Sequence, residues 1–271
     1  MQHKRIEFAA DAAEQTTTTT TSPSTPWKKE RESRYQDLVF KPEYADRKLR
    51  FPLGQTWMRI LPALRGSVNG WMLGIHALEF DGGRFAHPRT LKKNARCAFD
   101  HAYSWANANA PQSLYSKANR QGVRLLTNPF SAFWAAVEED GRTVARLFFG
   151  SAYDGSRGGV PGLGWQIYQM SQQRDEKGTL VADPAHPTKG GLVGVEKVQT
   201  KGAQYPTYRL QLGRQNAPAD EAIVKMDEAE LGALVPLEDT IRLLTPEEEW
   251  ERLTKVMAPA TVEQIRAGLG S

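Results

Sequence analysis

"GQTWMRILPALRG", residues 54–66, decides how this chain is read. Polar and apolar residues alternate through "TWMRI", the period of a β-strand with one face on a core and the other in water. Met58 and Ile60 share one face, Trp57 and Arg59 the other. If Met58 and Ile60 fill the core, an indole and a guanidinium stand together in solvent. Rings interleaved with cations suit single-stranded nucleic acid, because bases stack on the rings and phosphates sit near the cations. Taken alone, the strand reads more readily as a core tryptophan beside an arginine whose stem snorkels to water.

Further strands follow. "WMLGIHALEF" (71–80) is joined to the first by "RGSVNG", whose Gly and Asn predict a hairpin. "FSAFWAAVEE" (130–139) and "TVARLFFGSA" (143–152) flank "EDGR", a stronger hairpin signal. "GLVGVEKVQT" (191–200) and "TYRLQLG" (207–213) supply later strands. Short strands with turn chemistry between them predict a mainly β fold, an OB-type five-stranded barrel spanning residues 35–215. "HPRTLKKNARCAFDHAYSWANANA" (87–110) instead has helical spacing, with Leu91, Ala95, Ala98, Ala102 and Trp105 on one face. A helical subdomain is therefore expected as an insertion near 84–122. A second helix is predicted over "GWQIYQMSQQ" (164–173). "TPEEEW" reads as a helix start, with Thr245 and Glu248 closing a capping box; Thr261 and Gln264 repeat the spacing.

The ends differ from this core. Residues 1–34 contain "TTTTTTSPST", which cannot bury enough apolar surface to offset its ordering entropy, so a disordered N-terminal arm is expected. Net charge is +1 over residues 1–34, +10 over 35–215 and −7 over 216–271. A basic body with an acidic, partly helical C-terminal tail suggests a polyanion-binding domain carrying its own competing polyanion, though charge runs are also common on solvated surfaces. Both tails are expected to be flexible.

The ring-and-cation pattern recurs. Arg146 and Phe148 share a face of their strand, and Arg209 lies on the last one. The insertion holds Lys92, Lys93 and Arg96 with Tyr103 and Tyr115, the densest basic-aromatic stretch in the chain. These eight residues, with Trp57 and Arg59, form the expected single-stranded DNA surface. No catalytic residues are assigned: the sequence has no nucleophile elbow, no His-Glu-x-x-His and no deaminase signature. A metal-dependent DNA-processing nuclease using scattered carboxylates is the alternative, and an RNA-binding or annealing protein a third reading. One cysteine, Cys97, excludes an internal disulfide framework. Without an apolar run of membrane length or a secretory h-region, the expected location is the cytoplasm of a bacterial or phage-infected cell.

The order of these parts resembles the T-even phage single-stranded DNA-binding, helix-destabilising protein family. "WMRILPA" looks like its first strand and "GIHALEFDGGRF" like its next, with the histidine. "NPFSAFWAAVEEDGRTVARLFFG" resembles its later hairpin, and "VGVEKVQTKGAQYPTYRLQLGRQ" its closing segment. The likeness is dispersed over roughly residues 50–257. It implies sequence-independent coating of single-stranded DNA in replication, recombination and repair. It also implies self-association along DNA, and replication or recombination partners recruited through an acidic tail. The family's insertion holds zinc with one histidine and three cysteines; His76, His87, Cys97 and His101 are the donors in matching order here. Four N/S donors are what a closed structural zinc site requires.

Overall fold

Asp140 and Gly141 hold a two-residue turn, both with positive φ (50° and 74°). That is the geometry a two-residue hairpin demands, and an Asp-Gly pair adopts it readily. It joins β5 (Asn128–Glu139) to β6 (Arg142–Ser151) in the computed structural model, as the sequence predicts. The model describes residues 36–80, 83–110, 127–156, 159–178, 180, 183–201, 206–214 and 217–269. The expected disordered arm (1–34), Tyr115 and the end of the expected insertion lie outside them.

Around this hairpin stand β1 (Gln36–Leu38), β2 (Gly54–Ile60), β3 (Leu73–Phe80), β4 (Gly83–Ala86), β7 (Leu192–Val198) and β8 (Thr207–Leu212). The strand order is β1-β4-β3-β5-β2-β7-β8, with β6 paired to the other edge of β5. The fold is mixed α/β with an eight-stranded open sheet, rather than a closed five-stranded barrel. β2 and β3 do not form the expected hairpin. Both pair with β5, whose twelve residues take β3 along residues 128–132 and β2 along 135–137.

Both faces of β5 and β6 are covered. Phe133, Ala135, Val137 and Phe148 pack with Met58, Ile60, Val193 and Val195 and with Ile167 of α3 (Leu163–Gln172), the second predicted helix. On the opposite face Trp134, Ala145 and Leu147 pack with Val39, Phe40, Met226, Leu237 and Ile241. The last three belong to residues 217–269, so this segment is a folded cover rather than a flexible tail. Single bridges join Phe40 to Ile241 and Ala86 to Leu243, and the Trp134 indole donates to Val235 O at 2.9 Å.

The short helices α4 (Ala219–Ile223), α5 (Glu228–Gly232) and α6 (Leu237–Thr240) lie along this cover, followed by α7 (Pro246–Thr254) and α8 (Pro259–Ala267). α7 starts as predicted, with the Thr245–Glu248 capping box. α8 begins at Pro259, two residues before the expected Thr261 cap. In the insertion, α2 (Ala98–Asn109) is shorter than the periodicity suggests, because β4 and a 3-10 turn (Pro88–Thr90) precede it. A third apolar cluster joins Phe85, Phe99 and Ala102 to Leu253, Val262 and Ile265. Among the described residues no helix is long and apolar enough to cross a membrane.

Candidate nucleic-acid interface

β2, β7 and β8 leave one face open. Trp57 pairs across to Gly194, and Gly194 to Gln211. The Trp57 ring lies against Gly194 and Gly213, where an added Cβ would come within 2.8 and 2.4 Å of it. A side chain at either position would lift the ring; glycine lets the indole lie along the sheet with its outer side in water, 41% exposed. Beside it Gln55 donates to Gln211 at 2.8 Å, and Arg209, exposed, sits two strands away at 3.8 Å from Glu196. The fold thus brings Trp57 and Arg209 to one surface.

Arg59 and Phe148 are corrections. Arg59 is on the same strand face as Trp57 but only 2% exposed. Its guanidinium donates to the carbonyls of Ile60, Pro184, His186 and Ala217, clamping residues 184–187 and 217 onto β2. Burial lowers its pKa, and the nearby Asp183 charge partly offsets this. Phe148 is 1% exposed and stacked on Phe133 with ring centroids 4.4 Å apart, so no base can reach it. Arg146 shares its strand face but turns to Glu139, donating through Nε at 3.0 Å. The alternation was read correctly; the face expected in water is covered by α3 and β7.

Two grooves extend the open surface. One, of about 410 Å³, runs between α3 and β8 and includes Trp165, Gln169 and Gln211. The other, of about 470 Å³, lies between α3 and the β3–β5 pair, walled by Trp71, Phe130, Trp165 and Tyr168. Trp165 lines both, and Gln211 joins the first groove to the Trp57 face through Gln55. His76 lines the second groove. Its backbone N–H donates to the Thr90 hydroxyl at 3.0 Å, which puts the turn carrying Lys92 and Lys93 next to it. Lys92, Lys93 and Arg96 are exposed, and neither lysine has an ion-pair partner among the described residues. Tyr103 is half-buried against the third cluster rather than presented to solvent. Sequence reasoning missed Trp165 and Tyr168. Their i, i+3 spacing puts them on one helix face, with ring centroids 5.6 Å apart, but the stretch reads only as a helix.

The four expected zinc donors are not brought together. His87, Cys97 and Asp100 are: their ligand atoms lie within 4.8 Å of one another, while His76 and His101 stay outside. Asp100 was missed, although Cys97-x2-Asp100 is the spacing of an N-cap and its N3 residue; Asp100 accepts from the Cys97 N–H at 3.0 Å. His87 Nδ1 accepts from the Arg89 N–H, so the ring proton sits on Nε2 and faces Asp100 at 2.8 Å. The Cys97 sulfur is 3.3 Å from the same nitrogen. Burial raises the Cys97 pKa far above the usual thiol range. Burial also pushes Asp100 upward, but hydrogen bonds and charge from His87 prevail and hold it at about 2. Glu249, 6% exposed, accepts from the Ala98 N–H at 2.9 Å, and burial raises its pKa. Three donors already joined by hydrogen bonds, with a protonated thiol, do not make a closed four-coordinate site.

No protein-family model matches this chain, and no curated protein matches it.

Proposed function

We propose that this protein binds single-stranded DNA without cutting it, along a band from the Lys92–Lys93 turn through the two aromatic grooves to the Trp57 face. One observation carries the reading: an indole seated on two glycines, open to solvent, continues through shared residues into grooves walled by four more rings. Stacking is sequence-tolerant and contributes about 1–3 kcal/mol per base. Lys92, Lys93, Arg96 and Arg209 flank the band and supply phosphate contacts. The curved part of the sheet, β6-β5-β2-β7-β8, serves as an opened-out OB-type platform. The dispersed resemblance to the phage helix-destabilising proteins agrees in function, with roles in replication, recombination and repair. Partner proteins, replication and recombination factors or further copies of the chain, then meet a folded acidic surface at 217–269. The structural zinc that the resemblance implies would need a fourth donor beyond His87, Cys97 and Asp100 and the loss of the thiol proton.

The test is a salt-titrated affinity series on fluorescent single- and double-stranded DNA and on single-stranded RNA. Tighter binding to the single DNA strand, falling linearly on a log–log salt plot, supports the reading. Duplex preference, RNA preference or divalent-metal-dependent cleavage overturns it. Metal analysis of the purified protein tests the zinc assignment separately.

A further inference from the structure

The groove between α3 and the β3–β5 pair differs from the rest of the band in its chemistry. No charged side chain is among the residues that line it. Its walls are the rings of Trp71, Phe130, Trp165 and Tyr168, and its volume of about 470 Å³ falls within the roughly 300–1,000 Å³ of small-molecule sites. Of its polar side chains, Asn69 donates to Glu238 at 2.7 Å and Gln172 to the Ser171 hydroxyl at 3.2 Å. Ser131, 4% exposed, and His76 are among its polar lining residues. No hydrogen bond of the His76 ring is found among the described residues. A neutral imidazole there offers one donor and one acceptor.

We propose that this groove is a base-reading pocket, which takes one nucleobase splayed out of the bound strand and gives binding a base preference. The inference rests on the single-stranded DNA reading above. A phosphate is a poor occupant, because nothing cationic lines the groove. A plain apolar ligand would use neither the Ser131 hydroxyl nor the His76 ring. A nucleobase is planar, neutral and edged with donors and acceptors, so it stacks on the walls while its edge meets the serine and the imidazole. Its phosphates remain at the mouth, where Thr90 joins His76 and the Lys92–Lys93 turn begins.

The experiment uses the full chain with four homo-oligodeoxynucleotides of equal length and the four free deoxynucleosides, with binding read by tryptophan fluorescence. One base should bind roughly fivefold or more tightly than the others, the size of one or two neutral hydrogen bonds. Ser131→Ala should bring that base level with the rest. Tyr168→Ala, an exposed position that leaves the core intact, should weaken the matching nucleoside. Four oligonucleotides bound alike, or a preference that survives both variants, overturns the pocket. Salt-sensitive oligonucleotide binding without preference removes the pocket and leaves the general reading standing. Selective nucleoside binding, with oligonucleotides no tighter, supports the pocket and removes the general reading.

Discussion

The β5–β6 hairpin and the β2–β7–β8 face carry the same sequence pattern and meet opposite fates. Each alternates apolar residues with a ring and an arginine: Phe148 with Arg146, Trp57 with Arg59. Phe148 is sealed at 1% exposure, while Trp57 is open at 41%. The difference lies in what packs on the second face. β5 and β6 have the 217–269 segment on one side and α3 with β7 on the other. Among the described residues, the outer face of β2, β7 and β8 carries the clamp around Arg59, and beyond it Trp57 is left open. Period-two alternation reports which residues share a face; it does not report whether water reaches that face.

The largest effect should come from Phe148→Ala, which empties a stacked position in the core. It is expected to destabilise by about 3–5 kcal/mol in urea denaturation. Trp57→Ala in the same assay should stay within about 1 kcal/mol, since its ring is half in water. Equal losses would erase the distinction between the two regions. Arg59→Ala should cost on the order of 3 kcal/mol, because buried carbonyls of residues 184–187 and 217 lose their donor. Were Arg59 an open phosphate contact, that substitution would leave stability unchanged and alter only salt dependence.

Glu249 sharpens the comparison at smaller scale, because it ties the cover segment to the start of α2. Burial raises its pKa, so its contribution favours the fold at low pH and is lost as pH rises through the folded pKa. Glu249→Gln keeps an acceptor for the Ala98 N–H without the buried charge. It should be neutral or stabilising at pH 7, whereas Glu249→Ala should cost about 1–3 kcal/mol. A thermal melt that ranks the two variants the other way would mean that the charge itself holds the contact. The smallest change is expected from Arg209→Ala: a slope of log affinity against log salt shallower by about one, with little change in stability.

Much of this molecule was legible. Asp140-Gly141 announced its hairpin, the Thr245–Glu248 pair its helix, and the strand faces of Trp57 and Arg209 were assigned correctly. What escaped depends on contacts distant in sequence. β2 and β3 were joined by a turn-like segment, but their partner is the long β5, which no local signal marks. Residues 217–269 were read as a tail because of their charge. Their sparse apolar residues, among them Met226, Leu237, Ile241, Leu253 and Ile265, prove sufficient to cover one sheet face and α2. Cys97 and His87, singled out through the family resemblance, do lie together, while Asp100 was hidden in its capping role and His76 and His101 stay outside the cluster.

The central claim is that DNA lies along the open band and avoids the doubly covered hairpin. Hydroxyl-radical footprinting of the protein, with and without single-stranded oligonucleotide, tests this directly. Trp57, Trp165 and Tyr168 should lose reactivity on binding, while exposed Val224 and Leu231 on the cover segment should keep theirs. Unchanged reactivity at the three rings, with protection over 217–269, would contradict the account.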